Sequence, residues 1–244
     1  MTIEVGWASA TGPRPDNQDR CVVSPGWLVL SDGAGGMRGG RRAAGLAVGA
    51  AAARLAASRA VGPVDEQTVR AAMAAADAAV RTGQATHPDE ASMAATLTVA
   101  AAAGGDRWFV AGIGDSPAWL ITPRRITRVT DDDNAAAELV RAGVISADEA
   151  RTHPGRHWIT RALGATTGPG VSAGLDVVPV ALGPGEALVL ASDGLAPVPV
   201  QAIALAARTA ASADDAACWL VDAAVAARTT DNVTVAVARE TGRR

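Results

Sequence analysis

The sequence predicts an α+β fold of antiparallel β-sheets covered by helices, and three observations carry that expectation. Short apolar runs are punctuated by tight turns at Pro25-Gly26, Gly104-Gly105 and Pro184-Gly185, and neighbouring strands joined by so short a turn must run antiparallel. Helical stretches come in adjacent pairs instead of alternating with single strands, which disfavours a doubly wound parallel sheet. Two apolar runs stop abruptly in a carboxylate followed by glycine, Leu28-Val29-Leu30-Ser31-Asp32-Gly33 and Leu188-Val189-Leu190-Ala191-Ser192-Asp193-Gly194. These read as buried strands that deliver an acid to a sheet edge.

Taken in order, weak alternation over residues 5–10 predicts a first strand. The polar turn Arg14-Pro15-Asp16-Asn17-Gln18-Asp19 leads into a strand at 21–23, and Pro25-Gly26 returns the chain through 27–31, as hairpin signals do. That places Arg14 and Asp19 near Asp32. Residues 40–57 predict an alanine-rich helix and 64–83 a second, with Asp65 and Glu66 at its positive N-terminal end. His87-Pro88 breaks it. Strands at 93–103 and 107–111 pair across Gly104-Gly105, and 117–122 pairs next, turning at Pro123-Arg124-Arg125.

From 131 to 163 the chain turns polar. Asp131-Asp132-Asp133 starts a short helix to 140, Gly143 ends it, and Ser146-x-x-Glu149 is a capping-box pattern. His153-Pro154-Gly155 is a loop. This segment is expected to form a mobile flap near the site, within one domain over 1–244. Strands follow at 176–180 and 187–191 with Pro184-Gly185 as their turn. Helices at 201–208 and 214–227, a last strand at 233–238 and a frayed tail at 241–244 complete the chain.

Composition narrows the function. The chain has 244 residues, 49% of them hydrophobic, which suits one large or two small domains, and no linker divides it. A net charge of −3 offers no basic footprint for nucleic acid. All 22 basic residues are arginine, which excludes a phosphate-loop lysine and Schiff-base chemistry. Two cysteines are too few for a disulfide scaffold. The opening Met1-Thr2-Ile3-Glu4-Val5 lacks a signal-peptide pattern, and Arg54 interrupts the alanine-rich stretch before about 18 apolar residues accumulate. The expectation is a soluble, reduced, cytoplasmic protein with neither a membrane nor a nucleic-acid partner.

Two further acids lie between apolar strands. Asp115 sits in Gly112-Ile113-Gly114-Asp115-Ser116, and Asp231 in Asp231-Asn232 ahead of 233–237. Each alone reads as a turn residue, since Asp-Gly is a common turn dipeptide. Together, Asp32, Asp115, Asp193 and Asp231 at strand ends suggest one metal site assembled from distant segments. A carboxylate-rich, cysteine-poor set selects magnesium or manganese. Other readings are weaker. Gly33-x-Gly35-x-x-Arg38 lacks the third glycine of a dinucleotide loop. His153-x-x-x-His157 is half a zinc pattern and reads as flap residues. Ser31 and Ser192 lack the preceding glycine of a nucleophile elbow.

The set resembles the metal-dependent protein phosphatases of type 2C in their short bacterial form, over nearly the whole chain. Arg14-x-x-Asn17-Gln18-Asp19, Asp32-Gly33-x-Gly35-Gly36, Gly114-Asp115-Ser116, Ser192-Asp193-Gly194-Leu195 and Asp231-Asn232-Val233-Thr234 stand in the family's order. Ala142-Gly143-Val144-Ile145-Ser146 through His153-Pro154 and Ile159-Thr160-Arg161-Ala162-Leu163-Gly164 resemble the bacterial flap region. The resemblance implies a four-layer sandwich, two antiparallel sheets packed face to face and flanked by helix pairs, with metals at one end. It implies that Asp32 bridges two divalent ions, Mn2+ or Mg2+, with the Gly33 carbonyl on one. Asp193 and Asp231 would hold one ion, and Asp19 would serve the other. Arg14 would bind the substrate phosphate, while Asn17 and Asn232 support the motifs.

The implied activity is hydrolysis of phosphoserine or phosphothreonine in a phosphorylated protein, by water activated between the two ions. The substrate would be the target of a serine/threonine kinase and the enzyme a monomer. Some positions depart from the pattern. Pro197 stands where many members carry an acid, which weighs against a third ion held partly by Asp115. Pro117 replaces the usual arginine, Asp132 or Asp133 replaces a common histidine, and Ala34 replaces a histidine of some eukaryotic members. The Pro197 departure motivates an alternative, a catalytically weak relative acting as a phosphoprotein-binding module. A small-molecule phosphatase on the same fold is a third reading.

Overall fold

The computed structural model describes residues 2–34, 39–165, 171 and 174–242. Gly35, Gly36 and Arg38 of the glycine-rich stretch, and residues 243–244 of the tail, lie outside the described residues. In chain order the strands are β1 (Ile3–Ala10), β2 (Arg20–Ser24), β3 (Trp27–Ser31), β4 (Leu97–Gly104), β5 (Arg107–Ile113), β6 (Ala118–Ile121), β7 (Ile126–Arg128), β8 (Val177–Ala181), β9 (Ala187–Ala191) and β10 (Val233–Glu240). The helices are α1 (Gly40–Val61), α2 (Glu66–Thr86), α3 (Ala135–Arg141), α4 (Ala147–Ala150), α5 (Val200–Thr209) and α6 (Ala213–Ala226). One sheet has the order β1-β10-β9-β6-β7 and the other β2-β3-β4-β5-β8. Every pairing is antiparallel.

Alternation along the strands explains the layers. Leu28 and Leu30 of β3 join Trp108, Leu188, Leu190, Ala236 and Ala238 in the core between the two sheets. Val29 points the other way, into a second core with Ala43, Ala47 and Ala51 of α1 and Met73 and Ala76 of α2. On the far side Val189, Val235 and Val237 meet Ile203, Ala207, Ala217 and Leu220 of α5 and α6. The result is helix pair, sheet, sheet, helix pair. Strands covered on both faces need apolar residues at every position, which is why 28–30 and 188–190 run unbroken. Alanine on the helix faces lets the helices approach closely.

By length and composition α1 would pass for a membrane span. Here its face of Ala43, Ala44, Ala47, Val48, Ala51 and Leu55 is buried, and Arg41, Arg42, Arg54 and Arg59 line its exposed side. Asp65 caps α2, accepting the Thr68 N–H at 2.7 Å while the Thr68 hydroxyl closes a reciprocal capping box.

Three expectations need correction. Residues 117–122 do not extend the sheet of β4 and β5. Gly114, at φ +91, turns the chain away, Pro117 has no N–H for a ladder, and its carbonyl accepts the Ala191 N–H at 3.0 Å. β6 therefore joins the other sheet. Nor is Pro184-Gly185 a hairpin turn: β8 pairs with β5, whereas β9 pairs with β10 and β6. The turn carries the chain between sheets, with the Gly185 N–H on the Glu240 carbonyl at 3.0 Å. Finally, α3 does not begin at Asp131-Asp132-Asp133. Asn134 caps it, accepting the Ala137 N–H at 2.9 Å, because the Asp133 backbone is engaged with Gly114 and Thr160. The Ser146–Glu149 capping box forms as the spacing predicts.

Register brings the acids to one end. Ala10 stands opposite Val233, Val235 opposite Ala191, and Leu190 opposite Ala118. In the other sheet Arg20 faces Ser31, and Leu97 faces Ile113. The segments carrying Asp19, Asp32, Asp115, Asp193 and Asp231 all leave or enter strands at this end.

Candidate functional site

Asp32 follows β3 directly. Its N–H donates to Thr96 Oγ1 at 3.0 Å and its carbonyl accepts the Thr96 N–H at 2.8 Å. Gly33 is required by close approach: a Cβ there would run into the backbone of Gly40 at the start of α1. Asp193 follows β9, and a Cβ on Gly194 would collide with the Asn232 carbonyl oxygen. Both Asp-Gly corners thus press against a second chain segment, which fixes their carboxylates. Asp19 precedes β2 and is 3% exposed. Its Oδ2 accepts from Ser192 Oγ at 2.8 Å.

Asn232 organises the loop between β1 and β2. Its Nδ2 donates to the Thr11 and Asp16 carbonyls at 2.8 and 2.9 Å, and its Oδ1 accepts the Gln18 N–H at 2.9 Å. Asn17 Oδ1 accepts the Asp19 N–H at 3.0 Å, and its Nδ2 donates to Ser9 Oγ at 2.8 Å. Arg14 reaches from this loop to Asp231 Oδ2 at 2.7 Å and to the Thr230 carbonyl at 3.0 Å. The guanidinium is 41% exposed and lies beside the acids. A cavity of about 230 Å³ opens next to Asp19, bounded by Trp7, Asn17, Arg20 and Cys21.

The electrostatics are those of like charges crowded together. Burial, then the charges of Asp19, Asp193, Asp231 and Asp115, push the Asp32 carboxyl well above the usual carboxylate range. Burial also raises Asp19, against hydrogen bonds from Thr234 and Ser192 that favour its charge. Asp193 is pushed up to about 6 by burial, Asp231 and Asp19, and Asp115 to about 7 by burial, Asp193 and Asp132. Among the described residues no three of these groups close round a common point as placed. Two oxygens nevertheless suit a cation: Asp19 Oδ1 and Asp193 Oδ1 are buried with no hydrogen-bond partner. Unpartnered acceptors in a cluster of acids fit a divalent ion, because positive charge satisfies the orphaned oxygens and relieves the repulsion at once.

Asp115 lies at the same end, close enough to Asp193 to raise its pKa, whereas Pro197 is exposed and offers no ligand. The two flap histidines make no zinc pair: His153 Nδ1 accepts the Gly155 N–H at 3.0 Å, and His157 is exposed. Sequence reasoning missed the hydroxyls that hold the acids. Ser192 supports Asp19; Thr96 holds the Asp32 backbone and shares a 2.7 Å bond with Ser116 Oγ. Of these, Ser116 and Ser192 carried a signal, their places beside Asp115 and Asp193, and Thr96 carried none.

Residues 12–220 match the family model for protein phosphatase 2C. The serine/threonine protein phosphatase PstP of Mycobacterium tuberculosis is 34% identical over 233 residues, covering 92% of this chain and 42% of that protein. The chain thus spans about two fifths of the length of these curated relatives. The PPM Ser-Thr phosphatase MsPP of Mycobacterium smegmatis, solved in complex with cacodylate, superposes with a TM-score of 0.83 at 35% identity, covering 99% of each chain. The catalytic domain of PstP, solved with two manganese ions, gives a TM-score of 0.84 at 28% identity, again covering 99% of each. With the family model matching most of the chain, and a fold shared end to end with these structures, the chain belongs to the protein phosphatase 2C family.

Proposed function

We propose that this chain is a manganese- or magnesium-dependent protein phosphatase that hydrolyses phosphoserine or phosphothreonine in proteins. The observation that carries the reading is the cluster of Asp19, Asp32, Asp193 and Asp231, with two buried carboxylate oxygens left unpartnered. Asp32 and the Gly33 carbonyl, at the centre of the cluster, would help to hold the ions. Asp193 and Asp231 would hold one ion and Asp19 would serve the other. Asp115 lies at the same end, but with Pro197 in place of an acid the reading stops at two ions. Bound there, two divalent ions supply positive charge against the phosphomonoester and a water of lowered pKa as nucleophile.

The chain's own groups do the rest. Ser192 orients Asp19, and hydrogen bonds from Thr234 and Ser192 favour its charged form against burial. Arg14 offers its remaining N–H groups to the phosphate oxygens, a match of planar fork to oxyanion. Asn17 and Asn232 keep the Arg14–Asp19 loop in register with β10. No thiol competes for the role of nucleophile. Burial, with the charge of Asp19, pushes the Cys21 thiol up to about 12, whereas a cysteine nucleophile needs a lowered pKa. Cys218 is an exposed free thiol on α6. Both free thiols and the acidic net charge suit a monomer working in the reduced cytoplasm on phosphorylated proteins, with the segment 131–163 as its flap.

The test is phosphate release from a phosphothreonine peptide, with manganese titrated against a chelator-treated control. Saturable, metal-restored turnover is the expected result. Folded protein that binds manganese and phosphopeptide without turnover would replace the enzyme by a phosphoprotein-binding module.

A further inference from the structure

Three consecutive aspartates open the flap segment, and they have three different fates. Asp131 is exposed, Asp132 pairs with Arg128, and Asp133 turns inward to 7% exposure. Asp133 is the residue where both roots of the segment meet the sandwich. Its N–H donates to the Gly114 carbonyl at 2.9 Å, and its Oδ2 accepts the Gly114 N–H at 3.1 Å. Its own carbonyl accepts the Thr160 N–H at 2.8 Å, and its carboxylate pairs with Arg161 at 3.2 Å. Gly114 is thereby held at both its donor and its acceptor.

The hydrogen bonds continue from that turn to the centre of the acid cluster. Two residues on, Ser116 Oγ bonds Thr96 Oγ1 at 2.7 Å, and the Ser116 carbonyl accepts from Thr98 Oγ1 at 2.7 Å. Thr96 Oγ1 in turn accepts the Asp32 N–H. Thr96 and Thr98 are fully buried and Ser116 is 3% exposed, so water does not replace these bonds. Nor can the turn relax easily. Gly114 sits at positive φ, and a Cβ on it would meet Thr96 Cγ2 at 2.6 Å.

We propose that Asp133 is a positioning residue: it clamps the Gly114-Asp115-Ser116 turn and, through Thr96, fixes the backbone that presents Asp32. The inference rests on the phosphatase reading of the Asp32 cluster. A small displacement of a metal-bridging carboxylate is costly, since misplacement by about 1 Å can lower a rate about a hundredfold.

The experiment pairs calorimetric titration of Mn2+ with steady-state hydrolysis of p-nitrophenyl phosphate. Asp133→Ala is expected to weaken Mn2+ binding about tenfold and lower kcat about tenfold, with KM within about twofold. Asp133→Asn keeps an acceptor for the Gly114 N–H and should recover most of both losses. Ser116→Ala cuts the same path further along. The double variant Asp133→Ala/Ser116→Ala should therefore be no worse than the poorer single variant. Trp158→Ala, on the exposed face of the same segment, serves as the control and should leave Mn2+ affinity unchanged.

Unchanged Mn2+ affinity and kcat in folded Asp133→Ala would overturn the proposal, as would strictly additive losses in the double variant. If Asp133→Ala does not fold, equal Mn2+ affinity in Asp133→Asn, Ser116→Ala and the parent protein overturns it just as well. Absence of turnover in the parent protein would instead count against the phosphatase reading, and the Mn2+ titrations would still decide the role of Asp133.

Discussion

Asp193 and Asp231 show what a single carboxylate does here. Asn is nearly isosteric but loses the charge, so Asp193→Asn or Asp231→Asn should leave the fold intact and lower phosphate release by more than about a hundredfold. Circular dichroism alongside the rate assay checks both halves of that statement. Arg14→Ala should raise KM by about tenfold and lower kcat less, because it removes binding common to ground and transition states. A complete Michaelis–Menten analysis on a phosphopeptide separates the two. The acids also predict a pH dependence for the metal-free protein. Burial and repulsion raise the pKa values of Asp115 and Asp193 to about 7 and 6, from an ordinary value of 3.8. The folded state therefore binds protons more tightly than the unfolded one. That contribution to stability is fully present below about pH 4 and is lost as pH rises through 6 to 7. In chelator the melting temperature should be on the order of 5 °C higher at pH 5 than at pH 8, and saturating Mn2+ should remove most of the difference. The acids themselves were legible in the sequence, because an apolar run ending in Asp-Gly is a local pattern. The partners of the Thr96, Ser116 and Ser192 hydroxyls were not, although Ser116 and Ser192 stood within the motifs. A serine or threonine carries no sequence mark of the partner it finds 20 to 173 residues away.

At the scale of elements, local signals were read well and non-local ones were not. The hairpins of β2–β3 and β4–β5 form where Pro25-Gly26 and Gly104-Gly105 predict them, and the Gly104 and Gly105 φ values of +103 and +61 show why glycine is needed there. β6 and β8 were strands as expected but with the wrong neighbours. Their partners are set by the Gly114 corner and by packing across the sandwich, neither of which adjacent residues report. The alanine faces of α1 and α2 make a related point. They permit close packing only while they stay small. Ala47→Leu, at a fully buried position of α1, should cost about 1–3 kcal/mol by overpacking, read as a lower melting temperature with Mn2+-dependent activity preserved at 25 °C.

At the scale of the whole fold, strands far apart in sequence lie side by side. Ile3 stands opposite Glu240, and β1 pairs with β10 over eight residues. The site therefore draws on a loop that follows the first strand and a corner that precedes the last. In time, a chain emerging residue by residue would already hold Asp32 and Asp115 while β10 was still being made. Until β10 docks, Asp231 is unplaced, Asn232 cannot clamp the Arg14–Asp19 loop, and Thr234 cannot reach Asp19. Pairing partners so distant along a chain are slow to find one another. The acid cluster would then be complete only once β10 has docked, so a chain cut before Val233 is expected to lose Mn2+ binding however well the sheet of β2–β5 has formed.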